Sequence, residues 1–315
     1  MSELHVVLGA SGALGSAIVH HLQAEGYPVR AVARNAQRAA DALPDEVEVV
    51  VCDALDTAAL RQACAGAAVI YDCLYVGQQL REATESVLHV ARELAARLVF
   101  PSNPLVYGPL QRVPADEAHP LQPTSQRGRL RLAVERMLLQ AHARGEVAVV
   151  IPRLSTFYGA HVHGTLMSAI FEAALRNQKA VWLGRLDMPH DFVYLPDAAA
   201  ACVFLATDPE AYGQAWHVPG AGPLTGAQFV ELVYRAFNHE PKVVTRNRLL
   251  FQLAGLISPQ VREVVELLYE FDQPFVLDGG KLARAYPAFE YTPHEIGIRE
   301  TAAWYAAVLS PAAGA

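Results

Sequence analysis

An apolar strand that runs through three closely spaced glycines straight into a helix leaves few folds open to this chain. Leu4-His5-Val6-Val7-Leu8 is an apolar run of strand length, Gly9-Ala10-Ser11-Gly12-Ala13-Leu14-Gly15 follows it at once, and Ile18, Val19 and Leu22 then recur at helical spacing. Each glycine has a reason: one for the tight turn, one to let the backbone approach a pyrophosphate, one to let helix and strand pack closely. A helix that begins there points free N–H groups and a partial positive charge at whatever lies beyond the strand, which suits a phosphate. A second apolar strand, Val29-Arg30-Ala31-Val32-Ala33, completes the pattern of a dinucleotide site. Gly9, Ser11, Gly12, Ala13, Leu14 and Gly15 are the expected cofactor loop.

The end of the second strand discriminates between cofactors. An NAD site places a carboxylate there for the ribose hydroxyls, whereas an NADP site places a cation for the 2′-phosphate. Here Ala33 is neutral, Arg34 follows it, and Arg38 comes one helical turn later. Arginine offers a fork of donors that a phosphate accepts in pairs, so NADP is expected in preference to NAD.

Alternation continues along the chain. Residues 47–52, 68–71, 97–100 and 147–151 read as further strands, and the Ala- and Leu-rich stretches between them, such as 58–65 and 82–96, read as helices. The fold class this predicts is α/β, a doubly wound parallel sheet of the Rossmann type with right-handed crossovers, and ligands binding beyond the carboxyl ends of the strands. A smaller C-terminal α/β lobe is expected for the substrate, with 1–152 and 190–218 forming the dinucleotide-binding part and 153–189 and 219–315 the substrate part.

Composition narrows the partners. At 52% hydrophobic and 18% charged the chain is a folded globular one, and its net charge of -7 lacks the basic face that nucleic acid requires. Its apolar runs are broken by charge or proline short of a membrane span, and Met1-Ser2-Glu3 lacks a basic signal segment. Cys52, Cys64, Cys73 and Cys202 show no paired ligand spacing and read as buried thiols of a reducing, cytoplasmic protein. His161-Val162-His163 has no acidic or cysteine partner at metal-site spacing, so no metal is expected.

Taken in order, Gly9-x-x-Gly12-x-x-Gly15, Asp53, Val106-Tyr107-Gly108, Arg153 with Tyr158-Gly159, Asp191-Phe192-Val193-Tyr194-Leu195-Pro196-Asp197, Lys281 and Gly297-Ile298-Arg299-Glu300 resemble the extended short-chain dehydrogenase/reductases, the NAD(P)-dependent epimerase/dehydratase group. The resemblance implies that the Ala13 and Leu14 amides hold the pyrophosphate, that Asp53, beside Ala54, accepts from the adenine amino group, and that backbone near Cys73 lies along the adenosine ribose. Asp53 reads equally well as a helix N-cap before the Ala-rich stretch. Members often dimerise through helices flanking the sheet, so a homodimer is an expected partner state beside the small-molecule substrate.

The same resemblance locates departures. The hydroxyl residue before the Tyr-Gly of the fifth strand falls on Asn103, with Ser102 one residue away and facing elsewhere in the strand register. The Tyr-x-x-x-Lys helix start aligns with the segment from Pro123 to Glu135, where Arg127 takes the tyrosine position and Arg131 the lysine position. The residues four before Lys179, Lys242 and Lys281 are Leu175, Asn238 and Leu277, so no shifted alignment restores the motif. Arginine is not deprotonated in proteins, so Arg127 cannot be an acid or base, while Arg131 can still hold ribose hydroxyls. The expected catalytic set is therefore Asn103, Tyr107, Arg127 and Arg131, with Tyr107, Tyr75 or Tyr158 as a non-standard proton donor.

On the substrate side, His190 stands where sugar-nucleotide members carry an arginine for the diphosphate, and Thr156 where they carry an asparagine. Tyr75, Tyr158 and His190 are the expected substrate contacts, and a nucleotide sugar is disfavoured. Leu166, Met167, Ile170, Phe171 and Trp182, with Phe251, Leu253 and Leu256, read as core of the small lobe or as an apolar pocket. Function is expected to be that of an NADP-binding oxidoreductase or isomerase on a small substrate; a non-catalytic NADP-binding sensor and an NAD-dependent sugar epimerase/dehydratase are the alternatives.

Overall fold

The computed structural model of the chain describes residues 3–246, 266 and 268–309. Twelve strands are assigned among them: β1 (Leu4–Leu8), β2 (Val29–Ala33), β3 (Glu48–Val51), β4 (Ala67–Asp72), β5 (Arg97–Val99), β6 (Val149–Leu154), β7 (Thr156–Tyr158), β8 (Ala180–Leu183), β9 (Pro189–Tyr194), β10 (Ala215–Val218), β11 (Pro223–Thr225) and β12 (Val243–Arg246). Two compact units emerge. The first takes Met1–Val106, Arg127–Leu154 and Pro196–Val218, and the second Tyr107–Gln126, Ser155–Leu195 and Pro219–Ala315. Relative to the division read from the sequence, residues 107–126 and 190–195 fall in the second unit and 153–154 in the first. Backbone pairing explains the exchange: Ala115 donates to Val276 O at 2.9 Å and accepts from Asp278 N at 2.7 Å, while β9 is bonded to β7 and β11.

Unit 1 is a seven-stranded sheet in the order β10-β6-β5-β4-β1-β2-β3, parallel throughout. Six helices serve it: α1 (Ala13–Ala24), α2 (Ala36–Ala42), α3 (Thr57–Ala63), α4 (Leu80–Leu94), α5 (Gln126–Ala143) and, beyond the second unit's α6 (Leu166–Leu175), α7 (Leu195–Thr207). Local chemistry sets their ends. Asn35 caps α2 by accepting from Arg38 N, and Asp56 caps α3 by accepting from Ala58 N and Ala59 N at 3.0 Å each. The capping role read onto Asp53 therefore belongs to Asp56. Central strands bury both faces, with Val6, Leu8, Ile70, Leu98 and Ile151 packing with Leu60, Val87, Val134 and Leu138.

Buried polar groups interrupt that core. His5 on β1 meets the Tyr71 hydroxyl at 3.0 Å and the Tyr27 ring at 4.8 Å between centroids, and burial pushes its imidazole down to about 4. A buried ion pair joins α5 to β6: Arg153 Nη2 donates to Glu135 Oε2 at 2.6 Å and Nε to Oε1 at 3.3 Å, with both side chains almost wholly buried. Ser102, just past β5, donates its hydroxyl to the same Glu135 carboxylate. The α5 helix is thus tied to the carboxyl ends of β5 and β6.

Unit 2 holds the three-stranded sheet β11-β9-β7 and the pair β12-β8. Helices α6, α8 (Gly226–Ala236) and the C-terminal helix His294–Leu309 cover a second core built on Tyr158, Met167, Ile170, Phe171, Trp182, Phe192, Phe229, Tyr234, Ile298 and Tyr305. Met167, Ile170, Phe171 and Trp182 are core residues, with Leu166 packed against them. Phe251, Leu253 and Leu256 lie outside the described residues. Among the described residues no helix is long and apolar enough to cross a membrane.

The buried ion pair generates a stability prediction. Arg153→Met strands the Glu135 carboxylate in an apolar setting and should cost about 3–5 kcal/mol, read as a lower denaturant midpoint; adding Glu135→Leu should restore most of the loss. A single variant as stable as the parent would show that the pair carries no structural role. The histidine generates a second prediction. Its folded form holds a proton less tightly than its unfolded form, so His5 contributes stability that is lost as pH falls from about 6.5 towards 4. Replacement by Phe should flatten that part of the stability–pH curve; an unchanged slope would contradict it.

Candidate functional site

Strand order reverses between β4 and β1: the chain builds outward through β2 and β3 on one side and through β5 and β6 on the other. Such a switch point opens a crevice at the carboxyl ends of the two strands, which is where an α/β sheet binds ligands. The loop 9–12 fills that position. Gly9 has φ +71°, and a Cβ there would lie 2.6 Å from Cys73 O at the end of β4. A Cβ on Gly15 would lie 2.4 Å from Gly9 O, so only glycine lets α1 start this close to β1. No side chain caps α1, and its first turn has no acidic residue. The amides at the start of α1 and the small residues around them form a cradle that fits the pyrophosphate of a dinucleotide.

Around the cradle the expected contacts take these positions. Arg34 follows β2 and is exposed, as is Arg38 on the first turn of α2; among the described residues neither side chain makes an ion pair or hydrogen bond. Asp53, also exposed, accepts from Leu55 N at 3.1 Å and is followed by the buried Ala54. Cys73 continues β4, its N–H donating to Leu8 O at 3.2 Å and its carbonyl set against Gly9. Burial pushes the Cys73 thiol up, so it is a packing group rather than a nucleophile.

On α5 the two arginines differ. Arg131 folds back over the ends of β4 and β5: its Nη1 donates to Pro101 O at 3.1 Å and its guanidinium lies 5.6 Å from the centre of the Phe100 ring. Burial draws its pKa down while Glu135, Asp72 and Tyr75 hold it up. Arg127, one turn earlier, is exposed. Glu135, one turn later, is held by Arg153 and Ser102, so the ion pair fixes the helix phase that sets Arg131 over Phe100. Asn103 turns its carbonyl oxygen to Leu105 N at 3.3 Å, and among the described residues its NH2 has no protein partner. Tyr75 is 75% exposed on the loop after β4.

Sequence reasoning missed Asp72. It ends β4, opposite Leu8 in register, and is buried. Its carboxylate accepts from the Thr84 hydroxyl of α4 at 2.9 Å and from Leu74 N at 3.3 Å. The available signal was an aspartate closing an otherwise apolar strand, AAVIYD.

Three of the residues expected near the substrate lie in unit 2 and are buried. Tyr107 sets its ring edge-on to His119 at 5.2 Å. Tyr158 packs among Phe171, Tyr194 and Phe229, and its hydroxyl meets His294 Nδ1 at 3.2 Å. His190 bonds to Thr156 Oγ1 at 2.7 Å and to Glu270 O at 3.2 Å between the rings of Phe192, Phe271 and Phe275, and burial pushes it down to about 4. It is therefore a neutral imidazole inside an aromatic box, bonded to Thr156, which lies 34 residues earlier in the chain. His161 and His163 both pack on Trp304, and among the described residues no group of three possible ligands is assembled for a metal.

Known proteins resemble this chain in sequence and in fold. In sequence, one relative is a 3-diazoavenalumate denitrifying reductase from a Streptomyces species, 29% identical over 264 residues that cover 75% of this chain and 82% of the relative. Among solved structures, an epimerase from Methanothermobacter thermautotrophicus superposes with a TM-score of 0.82 at 16% identity, covering 97% of this chain and 93% of that one. The dTDP-glucose 4,6-dehydratase of Bacillus anthracis, solved with NAD, superposes at 0.81 with 17% identity, covering 98% and 97%. At such identities the likeness is one of fold. The model of the NAD dependent epimerase/dehydratase family matches residues 5–218, from β1 to the end of β10, and the chain belongs to that family.

Proposed function

We propose that this protein is an NADP(H)-dependent reductase of a small, electron-poor acceptor rather than of a nucleotide sugar. The observation that carries the reading is the first two turns of α5, where Arg127 and Arg131 occupy the positions at which the resemblance puts the proton-donating tyrosine and its lysine. Two permanent cations replace an acid and its activator. A carbonyl becoming an alcohol develops charge on oxygen and needs a proton in the transition state. An acceptor that already carries positive charge, or that spreads the incoming electrons widely, does not.

The Streptomyces reductase named for a diazo compound suggests one such acceptor, an arenediazonium bearing a carboxylate. The bound dinucleotide would supply a hydride, which on the terminal nitrogen of an arenediazonium gives an aryldiazene that collapses to arene and N2, its N–H proton passing to carbon, with no acid required from the protein. The chain's own residues then bind and orient. Gly9, Ser11, Gly12, Ala13, Leu14 and Gly15 hold the pyrophosphate, and Arg34 the 2′-phosphate. Asp53 and Ala54 face the adenine, backbone at Cys73 the adenosine ribose, and Arg131 the nicotinamide ribose. Arg127 supplies a positive field for an anionic substituent, and the Asn103 amide donates to a polar substrate atom. Thr156 and His190, bonded to one another and uncharged, offer a diphosphate no cation, which supports excluding nucleotide sugars.

Binding and turnover measurements test this reading. Arg34→Ala should weaken NADPH binding by about 1.5–3 kcal/mol and leave NADH nearly unchanged; equal loss for both nucleotides would remove the NADP assignment. Arg131→Ala, in contrast, should weaken both. With NADPH as the reductant, turnover of a carboxylate-bearing arenediazonium should release one N2 for each NADPH oxidised, faster than the enzyme-free reaction. Turnover of UDP-glucose at about 1 per second or more would refute the exclusion of nucleotide sugars, and tight NADPH binding with no reduction of any acceptor would identify a sensor instead.

A further inference from the structure

Asp72 lies directly beneath the switch-point crevice. Leu8, its register partner on β1, precedes Gly9, and Cys73, its neighbour in sequence, supplies the carbonyl against which Gly9 is pressed. The Asp72 side chain is 2% exposed, and its two hydrogen bonds reach Leu74 N, which turns the chain after β4, and the Thr84 hydroxyl of α4. One carboxyl thus joins the turn below the crevice to the helix behind it. A buried carboxylate normally stands beside a bonded cation, yet the Arg131 guanidinium is directed to Pro101 O and the Phe100 ring, and acts on Asp72 only through space.

We propose that Asp72 is a positioning residue for the dinucleotide, one that shapes the floor of the crevice and whose charge state sets cofactor affinity. The inference rests on the cofactor reading given above. Its physical basis is charge repulsion: a pyrophosphate brought to the start of α1 places negative charge near the end of β4, which favours the protonated carboxyl of the buried Asp72. The groups that face Asp72 from neighbouring elements, among the described residues, are Arg131 of α5, Cys64 after α3 and Cys73 beside it. Both thiols are pushed up by burial and are neutral, so Arg131 is the counter-charge. Burial already pushes the Asp72 carboxyl up to about 6, against the pull of Thr84, Leu74 N and Arg131. Cofactor binding raises it further and takes up protons in the range above that value, so affinity falls as pH rises.

The test is the dissociation constant of NADPH, followed by its fluorescence from about pH 5 to pH 8, for the parent and Asp72→Asn. Asparagine keeps the size and an accepting oxygen while removing the charge. Comparing the two proteins with one ligand cancels the titration of the ligand's own 2′-phosphate. NADH, which lacks that group, is the second probe. The parent should weaken relative to the variant by at least about threefold across the range, so that the variant binds more tightly near pH 8 and equally near pH 5. Asp72→Ala, which also releases the turn, should bind more weakly than Asp72→Asn at every pH. Parallel profiles for parent and Asp72→Asn would overturn the proposal while leaving the cofactor reading standing. Failure of the parent to bind either nucleotide at any pH would overturn both.

Discussion

Close approach of backbone to backbone at two glycines is the constraint on which unit 1 depends. Because Gly15 has no Cβ, α1 starts within contact of the carbonyl that ends β1, and because Gly9 adopts a positive φ, the chain turns there without moving away from β4. The consequence is a helix start with unspent amides standing over the seam between two parallel strands. Everything assigned to the cofactor is arranged around that seam: the exposed arginines after β2, the aspartate after β3, the buried carboxyl ending β4, and the guanidinium that α5 lays over Phe100. A helix held even one side chain further out would offer the same residues around a wider and wetter gap, where each electrostatic contact is weaker.

On the proposed reading, the α5 helix keeps the geometry of the family scaffold while its chemistry changes. Its anchor is the Glu135 carboxylate, gripped by Arg153 and Ser102 in the interior. Residues four and eight positions earlier lie on the same side of the helix, so the anchor fixes where positions 131 and 127 point whatever side chains they carry. Substituting cations at these two positions therefore changes the charge delivered to one place. A scaffold whose phase is set from behind tolerates such replacement better than one whose active residues also hold the helix down.

Much of this was legible in the sequence, and the failures are physical. The strand, loop and helix at residues 4–22 were read correctly because periodicity and glycine spacing are local signals. Strand positions were found from apolar runs, but β6 extends to Leu154 rather than 151 because pairing with β10, more than sixty residues later, carries the ladder on. Asp53 and Asp56 are three residues apart before the same Ala-rich stretch, and composition alone cannot say which one accepts from the free amides. The Glu135–Arg153–Ser102 cluster joins side chains 18 to 51 residues apart, so no short window along the chain contains it. His190 was singled out as a departure from an arginine, and Thr156 as a departure from an asparagine; that the two replacements bond to each other is a fact of β7 lying beside β9.

One small division of labour at the end of β2 bears on how this protein can change. Asn35 spends its side chain capping α2, while its neighbour Arg34 makes no bond to the rest of the described protein. If position 34 reads the nucleotide, as proposed, folding and recognition are written there on adjacent but separate letters. A lineage can then rewrite that position to follow whichever nucleotide its metabolism supplies without loosening the helix next to it, and selection on redox currency is uncoupled from selection on stability.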